Sequence, residues 1–463
     1  MKQEHLKGKR VTVFGLGVNE GGVGTIEFLE QSGVKSIIVT DVKKKTELES
    51  SLKKLERYKN ITYILGQHRS EDFIHTDLVI KNPGIPWTNE YIKLALANKV
   101  PVEMDSSLFF SFCKNKIIGV TGTRGKTTTA SMIAHILEKS GIPVVRVGIS
   151  QTPVLGLLSK IKPGDVVVFE LSSWRLSALG RIRQSPPVAV FTNLYPDHLN
   201  YYRNLSAYER DKRYIYEFQK KSGILIANQS LDTVTLHPSP GETLRFSSEP
   251  IDGDGAFFRE GTAIACRDGE ETVLFERDDI RIPGMHNAMN ALAAALVAFT
   301  FGIPTAKISS ALKTFSGIPH RLEPVLEKDG VIFYNDTAAT SPEGTIAALR
   351  SFDRPLVLIA GGSDKRLVFG NLAQEMLDRA KAVILLPGSA TESLLREIRS
   401  RNAGAALPFH LEEAGGMEEA VGLARAAAAE GDIVLLSPGA ASFGLFKNEF
   451  DRGEQFRKAV SLL

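Results

Sequence analysis

The segment at residues 119–129 constrains the fold of this chain more than any other. It reads GVTGTRGKTTT, follows a run of apolar residues and precedes an amphipathic stretch at residues 130–139. A buried strand, a glycine-rich turn and a helix in this order are typical of a loop that holds phosphate on the backbone N–H groups at the start of a helix. We therefore predict that this part of the chain lies in a parallel α/β sheet.

The side chains of this loop indicate a nucleoside triphosphate. Lys126 is placed to reach the β- and γ-phosphates, and the hydroxyl of Thr127 can ligate Mg²⁺. The strict spacing of such loops would place glycine at Val120, so the loop is a variant. The alternative is a chance glycine- and threonine-rich turn, but this alternative does not explain the strand before it and the helix after it. The predicted nucleotide contacts are Gly122, Thr123, Arg124, Gly125, Lys126, Thr127 and Thr128.

Apolar runs typical of buried parallel strands alternate with helical stretches along the whole chain. The pattern starts again near residue 117 and once more near residue 330. The section at residues 231–280 is richer in Asp, Gly and turn residues and suggests a small antiparallel patch. We expect an α/β fold of three domains, namely a Rossmann-like domain at residues 1–112, a central P-loop ATPase-like domain at residues 113–316 and a second Rossmann-like domain at residues 317–463.

Charge and cysteine usage exclude several classes of protein. A formal net charge of +3 over 463 residues argues against broad neutralisation of nucleic-acid phosphates. Cys113 and Cys266 cannot build a disulfide framework or a zinc cluster. Residues 1–10 lack the apolar region of a signal peptide, and the apolar run at residues 288–301 is shorter than the ~18 residues of a membrane span. We expect a cytoplasmic monomer with no nucleic-acid or membrane partner.

Two further polar residues follow apolar runs of the central part. Glu170 ends the run at residues 166–169, and His198 ends the sequence TNLYPDH that follows the run at residues 188–191. Side chains at the carboxyl ends of parallel strands face the ligand crevice, so Glu170 could ligate Mg²⁺ and His198 could bind metal or donate a proton. A single histidine is more often a packing residue, and the charged stretch that contains Lys212 is by itself typical of a solvated helix face.

Taken in order, the motifs TGTxGKT, ELSS, NxxxDH and a lysine on the following tyrosine-rich helix resemble the Mur ligase family, to which folylpolyglutamate synthetase is related. The resemblance implies that ATP and Mg²⁺ are needed, with one metal ion at Thr127 and a second at Glu170, His198 and Lys212. It implies that Lys212 carries a carbamate (N-carboxylysine). The implied catalytic residues are Lys126, Glu170, His198 and Lys212.

Three later segments are similar to the same family. They read MHNAMNAL, HRLE and NDT, and they lie at residues 285–292, 320–323 and 335–337. The HRLE segment matches a hinge whose arginine reaches a phosphate. By resemblance, these segments supply further nucleotide contacts from Asn287, Asn290, Arg321 and Asp336.

Both ends of the chain resemble the family members that add D-glutamate to UDP-N-acetylmuramoyl-L-alanine. The block LLSPGAASFGLFKNEFDRGEQF at residues 435–456 is similar to theirs, and the DNPR motif of the diamino-acid-adding members is absent. The resemblance implies an amino-acid site at Thr340, Lys365, Ser442 and Phe443. At the other end it implies contacts to the UDP group from Gly15, Leu16, Gly17, Asp41 and Gly84.

Three positions depart from that pattern. Ala338 stands where a lysine is usual, Ile149 where an asparagine is usual and Glu449 where an aromatic residue is usual. These changes leave the phosphate loop intact and bear on the identity of the added amino acid. The expected reaction is phosphorylation of the acceptor carboxylate by ATP, followed by attack of the amine of D-glutamate, as a step in peptidoglycan precursor synthesis.

Three alternatives stay open at this point. The first is a Mur-like ligase with another amino acid or acyl acceptor, including a folylpolyglutamate-synthetase-like activity. The second is a P-loop ATPase that moves a partner, which would turn over ATP without an acceptor. The third is a nucleotide-dependent dehydrogenase, because a glycine turn followed by an acidic residue such as Asp41 is also found in that class.

Overall fold

The computed structural model describes residues 3–17, 21–149, 152–197, 201–202, 204–364, 367–402 and 406–463. It contains three separate sheets, each composed mainly of parallel strands, so the prediction of a three-domain α/β fold is confirmed. Packing groups the first two sheets into one compact unit, Met1–Asp279 with Met289–Leu312, and the third into another, Ile280–Ala288 with Lys313–Leu463. Among the described residues, no helix has both the length and the apolar character needed to cross a membrane.

The first sheet has five parallel strands in the order β3-β2-β1-β4-β5. The strands are β1 (Arg10–Phe14), β2 (Ser36–Asp41), β3 (Ile61–Leu65), β4 (Leu78–Lys81) and β5 (Val102–Glu103). The helices are α1 (Gly21–Gln31), α2 (Glu49–Leu55), α3 (Glu71–Ile74), α4 (Glu90–Ala97) and α5 (Asp105–Phe112). The strand order reverses between β1 and β4, and a ligand crevice is expected where the chain leaves these two strands.

Helix α1 begins earlier than its residues suggest. The sequence favours a helix from residue 25, but the structure starts it at Gly21. Because glycines are poor helix formers, helix propensity does not predict that α1 starts at Gly21. Here they permit close packing, because a Cβ on Gly22 would lie 2.1 Å from the oxygen of Leu16 and one on Gly24 would lie 2.0 Å from Pro153.

The second sheet has nine strands in the order β14-β13-β12-β11-β10-β9-β6-β8-β7. They are β6 (Ile117–Thr121), β7 (Val144–Val147), β8 (Val166–Glu170), β9 (Val188–Phe191), β10 (Ile224–Asn228), β11 (Glu242–Ser247), β12 (Gly255–Arg259), β13 (Thr262–Arg267) and β14 (Glu270–Glu276). Among the described residues of this sheet, only β12-β13 and β13-β14 pair antiparallel, which confirms the antiparallel patch. The helices are α6 (Lys126–Lys139), α7 (Ser173–Ile182), α8 (Leu205–Arg213), α9 (Asp232–Leu236), α10 (Met285–Thr300) and α11 (Thr305–Lys313).

The third sheet has six strands in the order β15-β16-β20-β17-β18-β19, and within the described part of the chain β15 alone is antiparallel to its neighbour. They are β15 (Glu323–Lys328), β16 (Val331–Asn335), β17 (Leu356–Gly361), β18 (Ala380–Leu386), β19 (His410–Glu413) and β20 (Ile433–Leu436). The helices are α12 (Pro342–Leu349), α13 (Gly370–Arg379), α14 (Ser389–Arg401), α15 (Met417–Ala427) and α16 (Glu449–Ser461). Every residue of β17 and β20 is buried, as expected of central parallel strands.

Candidate nucleotide and substrate sites

The loop at residues 122–125 has the backbone geometry of a phosphate site. Gly122 and Gly125 have φ of 155° and 78°, which only glycine adopts readily. A Cβ on Gly122 would lie 1.9 Å from Thr192 Oγ1, and one on Gly125 would lie 2.4 Å from Asn290 Oδ1. The two glycines therefore let the loop pass close to its neighbours and lead directly into a helix.

Helix α6 begins at Lys126 rather than at residue 130, so Lys126, Thr127 and Thr128 form its first turn. The N–H groups of a first turn have no partner within the helix and attract anions. The Nζ atom of Lys126 donates to the carbonyls of Gly122 and Thr123, both at 3.0 Å, which places a positive charge on the loop. The residues present therefore fit a triphosphate.

The segment after β9 holds the loop in shape. Thr192 Oγ1 donates to the Arg124 carbonyl at 2.6 Å, and the Arg124 N–H donates to Asn193 Oδ1 at 2.8 Å. The Tyr195 N–H donates to Thr123 Oγ1 at 2.9 Å. From the sequence, only His198 of this segment was predicted to have a role, and these supports were not predicted. The signal was present, since polar residues directly follow a strand that pairs with β6.

Asn290 and Asn287 fall in the same helix but have different surroundings. Asn290 is buried, and its Oδ1 accepts from Thr129 Oγ1 at 3.1 Å, which places it against the first turns of α6. Asn287 is also buried, and its Nδ2 donates to the Pro283 carbonyl at 2.7 Å. The structure thus places Asn290 beside the phosphate loop, and nucleotide contact by either residue stays a prediction.

Lys212 is buried in contact with the phosphate loop. Its side chain is 1% exposed, and Nζ donates to the Gly122 carbonyl at 2.7 Å. Burial lowers the pKa of Lys212 well below its ordinary value, and repulsion from Lys126 lowers it further, while Asp197 and Glu170 oppose the change. A solvated helix face is therefore the wrong interpretation at Lys212, whose burial favours the neutral amine over the ammonium form.

Glu170 lies at the carboxyl end of β8, where it pairs in register with Val120 of β6. Its half-buried carboxylate is close enough to attract Lys212. Thr127 lies in the first turn of α6, and His198 lies outside the described residues. In the described part of the chain, no three His, Cys, Asp or Glu residues are grouped to hold a metal. The predicted metal ligands also include the Thr127 hydroxyl and a carbamylated Lys212, which are not His, Cys, Asp or Glu. The metal site therefore stays a prediction.

The residues predicted to contact the UDP group meet at one cleft in the first sheet. Gly15, Gly17, Asp41 and Gly84 all line it, whereas the Leu16 side chain is fully buried and does not. Asp41 organises one wall, because its two carboxylate oxygens accept from the N–H groups of Gly17 (3.0 Å) and Lys43 (2.9 Å). Contact between Asp41 and uracil stays a prediction.

Two cleft residues were missed by the sequence argument. A Cβ on Gly15 would lie 2.9 Å from Asn82 Cβ, so Asn82 forms the opposite wall, and its Oδ1 accepts from the Gly84 N–H at 3.0 Å. His68 also lines the cleft and lies 2.6 Å from Thr40 Oγ1 through Nδ1. The position of Asn82 directly after β4 was a usable signal, whereas His68 gave none.

A second cleft continues from the first toward the central sheet. It shares Gly15, Gly17 and Asn82 with the first cleft and also contains Lys81 and Arg175. The Arg175 guanidinium pairs with Asp105 at 3.0 Å and so joins α7 of the second sheet to α5 of the first. An elongated ligand bound at the first cleft therefore has a continuous path toward the central sheet.

In the third sheet, the residues predicted for the amino acid follow three adjacent parallel strands. Thr340 follows β16, and Ser442 and Phe443 follow β20; Lys365, which lies outside the described residues, follows β17. The loops after β17 and β20 pair through Ser363 and Ala441. Ser442 is 4% exposed and Phe443 is 59% exposed. Their contact with an amino acid stays a prediction.

The hinge segment and Asp336 are joined within the third domain. The carboxylate of Asp336 accepts from Ser437 Oγ at 2.8 Å and from the Leu322 N–H at 3.2 Å. Burial raises the pKa of Asp336 to about 7. Arg321 is exposed between His320 and Leu322, whose φ values of 69° and 42° are costly for non-glycine residues. Nucleotide contact by Arg321 or Asp336 stays a prediction.

Comparison with known families accounts for most of the chain. The Mur ligase MurD-like N-terminal domain matches residues 9–103, the Mur ligase middle domain matches residues 120–298, and the Mur ligase glutamate ligase domain matches residues 320–439. These three matches correspond to the three sheets.

Curated relatives match from end to end. A protein of Roseiflexus sp. (strain RS-1) named UDP-N-acetylmuramoylalanine–D-glutamate ligase is 40% identical, over 98% of this chain and 99% of its own. A protein of the same name from Symbiobacterium thermophilum is 35% identical over 98% of both chains. Among solved structures, the UDP-N-acetylmuramate-alanine ligase MurC of Thermotoga maritima has a TM-score of 0.60 at 18% identity, over 98% of this chain and 99% of that one.

Proposed function

This chain belongs to the Mur ligase family, and on that premise we propose that it joins D-glutamate to UDP-N-acetylmuramoyl-L-alanine with conversion of ATP to ADP. The observation that carries the proposal is the contact of buried Lys212 with the phosphate loop at Gly122, next to the end of β8 that carries Glu170. The full-length similarity to ligases named for this reaction supports the choice of substrates.

The first chemical step activates a carboxylate. A free carboxylate does not react with an amine at neutral pH, so an oxygen of the L-alanine carboxylate attacks the γ-phosphorus, the bond to the β-phosphate breaks and ADP leaves. Lys126 and the N–H groups of the first turn of α6 reduce the repulsion between the two anions. Two Mg²⁺ ions, when bound, would supply further positive charge there. Thr127 would hold one of them, and Glu170, His198 and carbamylated Lys212 would hold the second.

The second step forms the amide. The amine of D-glutamate attacks the carbonyl of the acyl phosphate, the carbon–oxygen bond to phosphate breaks, and the amine loses a proton. Water would destroy the acyl phosphate, so exclusion of water from the site matters as much as the attack itself. We assign the amino acid to the end of the third sheet, where Thr340, Lys365, Ser442 and Phe443 follow neighbouring strands.

We further propose that Lys212 is carbamylated. A neutral amine adds to CO₂, and the new N–C bond leaves a carbamate with the release of one proton. Burial and the nearby charge of Lys126 lower the pKa of Lys212, which supports the neutral form that this reaction needs. The carbamate is an anionic oxygen ligand, which is the kind of group that Mg²⁺ prefers.

Ala338 favours one alternative within the same family. It stands where a lysine is usual in D-glutamate-adding members, in the loop between Asp336 and Thr340. A ligase that adds a different amino acid, or that uses another acyl acceptor, is therefore the second candidate. For either candidate we expect a cytoplasmic monomer, which size-exclusion chromatography with light scattering would check.

The deciding experiment supplies UDP-N-acetylmuramoyl-L-alanine, ATP and Mg²⁺ together with a panel of single amino acids, and measures release of ADP. The proposal predicts release with D-glutamate and a much lower rate with L-glutamate, glycine or D-alanine. Preference for another amino acid would support the second candidate. Equal rates with every amino acid would contradict both candidates. Release with none would contradict the proposed function and any second candidate that uses this acceptor.

A further inference from the structure

Trp87 connects the first sheet to a helix of the second. It follows the loop at residues 82–86, which lines the first cleft, where Gly15, Gly17, Asp41 and Gly84 meet. Its indole Nε1–H donates to Ser177 Oγ at 2.8 Å, and the guanidinium carbon of Arg181 lies 3.9 Å from the ring centroid. Ser177 and Arg181 both belong to α7, so the ring is held at one helix by a hydrogen bond and by a cation–π contact.

The same indole also contacts a buried lysine of its own sheet. The Nζ atom of Lys81 lies 4.7 Å from the ring centroid, and its side chain is 1% exposed. Nζ donates to the carbonyls of Ile85 at 2.8 Å and Asn82 at 3.3 Å. Lys81 therefore fastens the cleft loop while it packs against Trp87, so a movement of the indole would be transmitted to the cleft wall.

At its other end, α7 is tied to the strand that opens the phosphate loop. The helix begins at Ser173, three residues after Glu170. The Leu171 N–H donates to the Val120 carbonyl at 2.9 Å, and Thr121 Oγ1 donates to the Leu171 carbonyl at 2.7 Å. A continuous series of contacts thus runs from the cleft loop through Trp87 and α7 to β6.

We propose that Trp87 is a positioning residue that sets the separation between the first cleft and the phosphate loop. A substrate held by its UDP group would then have its carboxylate already positioned at the loop Gly122–Lys126. The inference rests on the proposed function, because it needs an acceptor that is bound at one end and phosphorylated at the other. Misplacement of the reacting group by about 1 Å can cost about 100-fold in rate.

A positioning role differs from two simpler roles in what it changes. If Trp87 only bound UDP, its removal would weaken UDP binding in proportion to the loss of rate. If it only supported folding, its removal would lower the melting temperature and reduce all activities together. A positioning role predicts a lower kcat while the Kd for UDP is retained.

The test compares wild type with Trp87→Ala and Trp87→Phe. Three quantities are measured: the Kd for UDP by calorimetry, kcat for ADP release with saturating ATP, D-glutamate and UDP-N-acetylmuramoyl-L-alanine, and the melting temperature. We expect Trp87→Ala to lower kcat at least tenfold with the Kd for UDP within twofold. Trp87→Phe keeps a ring face for Lys81 and Arg181 and should restore kcat to within about threefold of wild type.

Tyr58→Ala is the matched control, because Tyr58 also lies under an arginine, with the Arg57 guanidinium carbon 4.8 Å from its ring centroid, and it lines neither cleft. It should leave kcat within twofold. If Trp87→Ala does not fold, Trp87→Leu replaces it, since leucine keeps apolar bulk but offers neither a ring nor an N–H group.

Unchanged kcat in the alanine or leucine variant overturns the inference, as does a parallel loss of UDP affinity. Failure of Trp87→Phe to recover activity also counts against it. If wild type releases no ADP with this acceptor, the proposed function falls and the inference falls with it. An active wild type with unaffected variants overturns the inference alone.

Discussion

The side-chain nitrogen of Lys212 lies 2.7 Å from the carbonyl oxygen of Gly122. The two residues come from helix α8 and from the phosphate loop, so the contact brings the lysine to the loop that we predict to hold the triphosphate. Because the lysine is buried and its pKa is lowered, this contact does not act as a simple surface charge. Changes at the Lys212 amine therefore test the proposed role of the whole site.

Lys212→Ala should reduce kcat at least 100-fold, because the variant cannot form the carbamate that we assign to the metal site. Short-chain carboxylates such as acetate should restore part of the activity by supplying the missing anionic oxygen. Exposed Lys220 provides the control, and Lys220→Ala should leave kcat unchanged. Wild type incubated with ¹³C-bicarbonate should show a carbamate carbon by NMR that Lys212→Ala lacks. Full activity of Lys212→Ala would contradict the proposal that a carbamate on Lys212 is required for activity.

Lys126→Ala should reduce ADP formation by about 100- to 1,000-fold, the usual effect of removing one group that stabilises developing charge. The fold should persist, since Lys126 is only half-buried at the start of α6. Lys139→Ala, in the last turn of the same helix, is the matched control and should retain the wild-type rate. Circular dichroism would establish that both variants are folded. Normal turnover by Lys126→Ala would disprove the assignment of the phosphate loop.

Gly125→Ala should abolish ATP binding, because its Cβ would lie 2.4 Å from Asn290 Oδ1 and its φ of 78° is unfavourable for alanine. Gly422→Ala is the control. This glycine lies inside α15 with no atom within 4 Å of an added Cβ, so alanine should stabilise the protein by about 0.5–1 kcal/mol. Calorimetric titration with a non-hydrolysable ATP analogue measures the binding. Wild-type affinity in Gly125→Ala would show that the loop tolerates a side chain and does not closely approach phosphate.

The buried carboxylate of Asp336 should make stability depend on pH. Burial raises its pKa from 3.8 to about 7 in the folded protein, so between these values the folded state binds more protons than the unfolded state. The free energy of unfolding should therefore fall as the pH rises from about 4 to 7, by up to roughly 4 kcal/mol. Urea unfolding of wild type and Asp336→Asn over this range checks the effect.

The Asp336→Asn variant should lose most of that slope, because asparagine does not ionise. Asp353→Asn, at an exposed position of the same domain, should keep it. Equal slopes in wild type and in Asp336→Asn would mean that some other group governs this range of pH.

The sequence predicted those parts of the structure that depend on short segments. The phosphate loop could be read because its glycines are required locally and because a strand and a helix flank it. The antiparallel patch at β12–β14 was visible from its turn residues. The start of α1 was not, since Gly22 and Gly24 favour close packing rather than helix formation, and that packing involves Pro153, which is distant in the chain.

The supports of the site were harder to predict than its loop. Thr129 and Asn290 are 161 residues apart, and their hydrogen bond follows only from the way α10 packs on α6. The burial of Lys212 could not be inferred from a stretch of mainly charged residues, which by itself favours a solvated face. Family resemblance pointed to Asn290 and Lys212. The position of Thr192 and Asn193 after a strand was an unused signal, whereas the contacts of Trp87 emerged only from the fold.

The most direct test of the central claim follows one oxygen atom. Acceptor labelled with ¹⁸O in its L-alanine carboxylate is converted with ATP and D-glutamate, and the released phosphate is analysed by mass spectrometry. Attack of the carboxylate on the γ-phosphorus predicts one ¹⁸O atom in each phosphate formed from labelled carboxylate. Release of unlabelled phosphate during product formation would contradict the acyl-phosphate route and the phosphoryl-transfer role of the loop at Gly122–Lys126.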